Sequence, residues 1–252
     1  MGIRSLQRLW DALGRGDPLW AILTDPSKKG NRWRLDEFFE TGVREIDALF
    51  EYIGALGVEN RKARALDFGC GVGRLTQALA RDFDRVDGVD IAPSMIARAR
   101  EYNRRGDRCH FHVNDSSDLR LFDDDTFDLI YSNITLQHIP PPHAAGYLGE
   151  LVRVLAPGGL LIFQIPAGVD AARARHPKER LKRMLPAPAL TFYYAVTQRW
   201  RSDMTMHPIV REEVVGLLEG EGARVVDVSP DASAGEGWIS YRYCATKPGS
   251  PR

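Results

Sequence analysis

A run of glycines and three acids stand at spacings that could hold a small ligand. In LDFGCGVGRLT, Leu66 to Thr76, glycines fall at Gly69, Gly71 and Gly73, directly after an apolar run that ends in Asp67. A glycine-rich turn after a strand lets backbone approach a ligand closely. The dinucleotide fingerprint G-x-G-x-x-G needs a third glycine where this chain has Arg74, and the nucleoside-triphosphate loop needs a lysine that this turn lacks. An acid just before the first glycine also repels a pyrophosphate at close range. A carboxylate there suits a ligand that carries a cation. Asp90, in DGVDIAPSM, lies 23 residues after Asp67 and ends a second apolar run. It can take both hydroxyls of a ribose, each charge-assisted hydrogen bond being worth roughly 1.5–3 kcal/mol. Asp115 and Ser116, in HVNDSSDL, follow a third run. The carboxylate can accept from an exocyclic amine such as that of adenine, and the Ser116 N–H can reach a ring nitrogen.

These groups act together only if strands carry them to one edge of a sheet. From residue 63 the chain alternates short apolar runs with amphipathic ones: ARALDFG, GRLTQALARDF, VDGVDI, APSMIARAREYN, RCHFHVND, FDLIYSN, HAAGYLGELVRVLA and LLIFQIP. That order predicts parallel strands with helices on both faces, wound right-handedly. Pro93 suits a first helical turn, and Pro140–Pro142 open the helix before the fifth strand. Upstream, apolar residues at Leu35, Phe38, Phe39, Val43, Ile46, Leu49, Phe50 and Ile53 predict a long amphipathic helix. Residues 1–35 read as short helices and loops. After residue 206 come a helix, IVREEVVGLLEGEG, and two strands, ARVVDVSP and WISYRYCATK, with no helix between them. Such strands pair antiparallel at a sheet edge. The expected division is a helical cap over 1–62 and a core over 63–252, with 167–206 as an insertion.

Composition narrows the class. The chain has 252 residues, 44% apolar and 27% charged, enough for one domain with a substantial core. Its formal net charge is zero, so charge gives no argument for nucleic acid. Cys70, Cys109 and Cys244 are too few and too scattered for a disulfide framework or a zinc cluster, which suits a reducing cytoplasm. The first twenty residues lack the apolar core of a signal peptide, and no run approaches the roughly 20 apolar residues of a membrane span. A cytoplasmic location is the expectation. His110 and His112 alternate on one strand, but no third metal ligand accompanies them, so no metal is expected.

LDFGCGVGRLT, VDGVDIAPSMIARAR, VNDSSDL, FDLIYSNITLQHI and LVRVLAPGGLLIF together resemble the class I S-adenosylmethionine-dependent methyltransferases, in their broad small-molecule branch. The resemblance covers about residues 36–165 well and 207–247 loosely. It implies a seven-stranded sheet of order 3-2-1-4-5-7-6 with strand 7 antiparallel, and S-adenosyl-L-methionine as cofactor. It assigns Asp67 to the methionyl ammonium, directly or through water. Gly69, Cys70, Gly71 and Gly73 would let backbone approach the methionyl and ribose parts. Asp90 would hold the ribose diol, with Ile91 and Met95 beside the adenine. Asp115 and Ser116 would read the adenine edge, and Asn133 would contact the methionyl end by its backbone. In this family an N-terminal helix often closes over the cofactor, so Phe38, Phe39 and Gly42 could border the site.

Methyl transfer is an in-line displacement at a sulfonium carbon, so a protein mainly aligns nucleophile and methyl. A hydroxyl nucleophile needs a base, whereas an amine needs only to lose a proton afterwards. His138 in LQHIP and His207 in MTMHP are the candidate catalytic bases, since the ordinary histidine pKa is about 6.5. His143 belongs to the start of the next helix. Residues 167–206 hold eight Arg or Lys against three Asp or Glu, followed by Phe192, Tyr193, Tyr194 and Trp200. In this fold such insertions roof the substrate pocket. The segment suggests an anionic substrate, or contact with a membrane surface to reach a lipid-linked one; a solvated helix with packing aromatics is the plainer reading. The resulting expectation is methyl transfer to a small molecule, first at oxygen and second at nitrogen. A cofactor-binding regulatory protein without catalysis is the reading from another class.

Overall fold

The computed structural model describes residues 2–58, 61–171 and 204–249. Its sheet has seven strands: β1 Arg64–Phe68, β2 Arg85–Asp90, β3 Cys109–Val113, β4 Phe127–Ser132, β5 Leu155–Val169, β6 Arg224–Pro230 and β7 Trp238–Thr246. Their spatial order is β3-β2-β1-β4-β5-β7-β6. The first five pair in parallel, and β7 runs antiparallel to both β5 and β6. The architecture is the doubly wound one, with the antiparallel edge that the two helix-free final strands imply.

Both faces of the central strands are covered, which explains their unbroken apolar runs. On one face Leu66, Ile130 and Leu161 meet α6, Pro141–Val154, and α7, Arg211–Gly220. On the other, Ala65, Leu129 and Ile162 meet α3, Leu35–Ala55, with α4, Arg74–Leu79, and α5, Pro93–Glu101. The buried residues of α3, Phe38, Gly42, Ile46, Leu49 and Ile53, keep the three- and four-residue spacing of one helical stripe. Gly42 is required there: a Cβ would lie 2.6 Å from the Arg74 carbonyl oxygen, so α3 touches the start of α4.

Three elements differ from the sequence expectation. Residues 1–35 hold a full helix, α1, Ile3–Gly16, and a short one, α2, Pro18–Ile22. Asp11 of α1 accepts the Ser94 N–H at 2.8 Å and so caps the start of α5. Helix α4 stops at Leu79 because Arg81 and Asp82 donate to Ala78 and Leu79, tightening its last turn. Strand β5 extends beyond LLIFQIP at both ends. Residues 172–203, most of the basic and aromatic insertion, lie outside the described residues. Among the described residues, no helix is long and apolar enough to cross a membrane.

Two buried aspartates carry opposite electrostatics. Asp87, in β2, accepts from Arg64, Arg85 and His112 at 2.8–3.0 Å. Burial alone would raise its carboxyl pKa, but those three partners outweigh burial and hold it well below the ordinary value. His112 is therefore a hydrogen-bond partner of Asp87. Asp67, in β1, accepts from Thr76 Oγ1 at 2.6 Å, and burial pushes its carboxyl up to about 7. The signs of the pH dependence follow. Asp87 stabilises the fold above the ordinary carboxylate pKa, and that stabilisation is lost as pH falls toward its depressed folded value. Asp67 opposes folding increasingly as pH rises from about 4 to about 7, because the unfolded chain ionises first. Chemical denaturation should show Asp87→Asn about 2 kcal/mol less stable than wild type at pH 7, the gap closing below about pH 4. Asp67→Asn should gain at least about 1.4 kcal/mol on wild type between pH 5 and 8. A pH-independent difference for either variant contradicts these assignments.

Candidate functional site

The carboxyl ends of the central strands and the N-terminal helices enclose a cavity of about 360 Å³, within the range of small-molecule sites. Its floor is the turn after β1. Gly69, Gly71 and Gly73 have φ of +81°, +53° and +82°. A Cβ on Gly69 would meet the Thr135 side chain at 2.1 Å, so close approach and backbone conformation both demand glycine. The turn is tied to the end of β2. Gly69 and Cys70 donate their N–H groups to the Val89 carbonyl at 2.8 and 3.0 Å. Gly71 N–H donates to Asp90 Oδ2 at 2.9 Å, and Gly73 N–H to the Cys70 carbonyl at 2.9 Å. With these four amides engaged internally, the turn does not offer the fan of N–H donors that cradles phosphate.

Asp90 lines the cavity, with Ala92 N–H donating to its other oxygen at 2.8 Å. Each oxygen retains accepting capacity toward the cavity. Burial raises its carboxyl pKa, opposed by the backbone amides of Ala92, Gly71 and Ile91. Ile91 and Met95 also line the cavity, and Met95 packs beneath α2 against Ala21.

At the far end Glu45, from α3, works as a hub. Its Oε2 accepts from Arg74 Nη2 at 2.7 Å. Its Oε1 accepts from Asn133 Nδ2 at 2.8 Å and from the Tyr131 hydroxyl at 3.1 Å. The hub leaves one donor and one acceptor unused. Among the described residues, Arg74 Nε and Asn133 Oδ1 are buried without a hydrogen-bond partner, and both residues line the cavity. Ile134, next to Asn133, holds φ +51°, a strained value for a β-branched residue, and also lines the cavity.

Of the sequence-derived candidates, the structure brings Gly69, Cys70, Gly71, Asp90, Ile91, Met95, Asn133 and His138 to the cavity wall. Burial raises the Cys70 thiol far above its ordinary value, which leaves it inert. Five candidates lie off the wall. Asp67 shares the strand face of Ala65, points to α4 and is 1% exposed. Gly73 caps α4 behind the turn, against Phe111. Asp115 and Ser116 are exposed. The Tyr147 hydroxyl donates to the Ser116 carbonyl at 2.5 Å and Asn114 Nδ2 to the Asp118 carbonyl at 2.8 Å, which places Asn114 on the cavity in their stead. His207 donates its backbone N–H to the Gln137 carbonyl at 2.7 Å; its Nε2 is buried without a partner among the described residues.

His138 reaches the cavity but is poorly built as a base. Its Nδ1 lies 3.1 Å from the Thr205 carbonyl oxygen and its Nε2 3.2 Å from Gln137 Nε2. Burial pulls its pKa down to about 4. Glu45, Arg74, Asn114, Gln137 and Trp10 also belong to the hub or the cavity wall, without a motif in the sequence that marks them as site residues. Arg74 alone carried a local signal, since it displaces the glycine of the dinucleotide fingerprint.

Comparisons with known proteins agree with this geometry. Residues 65–159 match the methyltransferase domain family. The carboxy-S-adenosyl-L-methionine synthase of Chromohalobacter salexigens is 34% identical over 159 residues, 57% of this chain and 58% of that protein. Trans-aconitate 2-methyltransferase of Streptomyces coelicolor is 37% identical over 165 residues, 64% of this chain and 45% of that protein. The chain thus spans about half the length of the curated relatives it matches. Magnesium protoporphyrin IX methyltransferase from Synechocystis PCC 6803, solved with bound S-adenosylhomocysteine, superposes with a TM-score of 0.63 at 16% identity, covering 97% of this chain and 99% of that one. Strand order, glycine turn and relatives converge: the chain has the fold of the class I S-adenosylmethionine-dependent methyltransferases, and over residues 65–159 it is similar to their methyltransferase domain.

Proposed function

We propose that this cavity binds S-adenosyl-L-methionine and that the protein transfers its methyl group to a small-molecule acceptor. The Glu45 hub carries the reading. The amino-acid end of the cofactor is a zwitterion, needing an acceptor for its ammonium and a donor for its carboxylate. Asn133 Oδ1 and Arg74 Nε are one of each, and Glu45 binds both residues. Asp90 stands at the nucleoside end for the ribose hydroxyls, and the turn has its amides engaged where a phosphate would need them. In this assignment Asn133, rather than Asp67, receives the ammonium.

The bound cofactor supplies an activated methyl group on a sulfonium. The chain positions it: Gly69 and Gly71 give close backbone contact, Ile91 and Met95 flank the base, and α1 and α2 exclude water. Retention of the glycines and Asp90 disfavours the regulatory, non-catalytic alternative. The relatives' names include a trans-aconitate and a hydroquinone methyltransferase, which supports a small organic acceptor. A lipid-linked acceptor is a proposal from the sequence of residues 167–206, and no binding to anionic vesicles at low salt would contradict it.

Calorimetry with S-adenosylhomocysteine tests the site. Asp90→Ala should lose about 10- to 100-fold in affinity. Arg74→Gln should lose about tenfold for S-adenosylhomocysteine and little for 5′-methylthioadenosine, which lacks the amino-acid end. Equal losses on both ligands, or none on either, would refute the assignment of Arg74.

A further inference from the structure

We propose that Gln137 receives the methyl acceptor through its side-chain oxygen, and that the acceptor presents an N–H there: a primary or secondary amine carried on an apolar body. The proposal rests on the methyl-transfer reading above.

Gln137 lies in the turn Leu136–His138 that follows β4, is 4% exposed and lines the cavity. The residue is held at both ends. Its backbone carbonyl accepts the His207 N–H at 2.7 Å, and its side-chain Nε2 lies 3.2 Å from His138 Nε2. The orientation of the amide follows from the imidazole. His138 Nδ1 faces the Thr205 carbonyl at 3.1 Å, and a carbonyl only accepts, so Nδ1 carries the proton. The neutral ring then has its lone pair on Nε2, and the amide must donate to it with its NH₂ group. This leaves Gln137 Oε1 buried, and it has no partner among the described residues. A buried acceptor without a partner calls for an explanation, and a donor on the substrate supplies one. The wall around it is apolar, with Trp10, Met204 and Met206 lining the cavity and the Trp10 ring set edge-on to His138, centroids 5.2 Å apart.

The chemistry selects the donor. In the transfer the nitrogen lone pair attacks the methyl carbon, an N–C bond forms and the C–S bond breaks with its electron pair going to sulfur. Positive charge moves from sulfur to nitrogen. The N–H proton stays on nitrogen through the step, hydrogen-bonded to Gln137 Oε1, and leaves afterwards to water. That hydrogen bond strengthens as the nitrogen becomes cationic, so it favours the transition state over the ground state. A carboxylate acceptor has no hydrogen to donate, and its charge opposes Oε1. An alcohol must lose its proton during attack, and the lone pair of His138 already accepts from Gln137. His138 is therefore a positioning residue, acting through the amide that it orients.

The test uses the full chain saturated with S-adenosylhomocysteine and three probes sharing one apolar ring: benzylamine, benzyl alcohol and benzoate. Ligand-observed NMR should show benzylamine binding at least about tenfold tighter than benzoate, a difference of about 1.4 kcal/mol. Gln137→Ala should abolish that preference while the affinity for S-adenosylhomocysteine and the melting temperature hold. Gln137→Glu, which keeps an oxygen and adds charge, should restore or exceed benzylamine binding. Benzoate binding as tightly as benzylamine, benzylamine unaffected by Gln137→Ala, or no benzylamine binding at millimolar concentration would each overturn the proposal. Failure of wild type to bind S-adenosylhomocysteine would instead remove the methyl-transfer reading beneath it.

Discussion

The site depends on how the turn after β1 is tied to the end of β2. The Gly69, Cys70 and Gly71 amides bond to the Val89 carbonyl and the Asp90 carboxylate, so the turn and the Asp90 side chain that lines the cavity are one unit. That bonding sets chemistry as well as shape. An amide engaged with its own protein cannot hold a phosphate, so the same glycine-rich turn that serves dinucleotides elsewhere is closed to a pyrophosphate here. Positive φ at the three glycines and the closeness of Thr135 to Gly69 leave little room for any other residue type there.

The second organising group is Glu45. Its carboxylate draws Arg74, Asn133 and Tyr131 together from α4, the end of β4 and β4 itself. It reaches them because Gly42, three residues earlier on α3, lets that helix sit against the Arg74 backbone. Packing thereby determines which polar atoms remain for a ligand. An arginine bonded only by its terminal nitrogens keeps Nε available, and an asparagine bonded by its amide nitrogen keeps Oδ1. On the acceptor side His138 does for Gln137 what Glu45 does for Asn133. In both places one side chain, by its own hydrogen bond, fixes the orientation of a neighbouring amide that lines the cavity.

The alternation of strands and helices and the glycine turn were legible in the sequence because their signals are local: apolar runs, helix-length periods, glycines after a strand. The position of Asp90 on the cavity wall was legible for the same reason, at the end of its run. The spatial order of the strands came only from the resemblance to a known family. Asp67 lies off the cavity wall because spacing along the chain does not encode strand parity; with Leu66 and Phe68 on one face, Asp67 shares the face of Ala65, toward α4. Asp115 and Ser116 are exposed, and the Ser116 carbonyl takes the Tyr147 hydroxyl from α6, a contact that no local pattern encodes. Glu45 and Gln137 had no signal of their own, since their roles come from residues far away in the chain. His138 looked like a base by type and position, yet its surroundings give it a hydrogen-bonding task.

The most direct measurement is a crystal structure of the chain with S-adenosylhomocysteine. The account predicts the ribose hydroxyls on the Asp90 carboxylate, the ligand carboxylate at Arg74 Nε and the ligand ammonium at Asn133 Oδ1. Asp67 should remain bonded to Thr76 and apart from the ligand. A complex with the amino-acid end away from Arg74 and Asn133, or with the ribose away from Asp90, would contradict it.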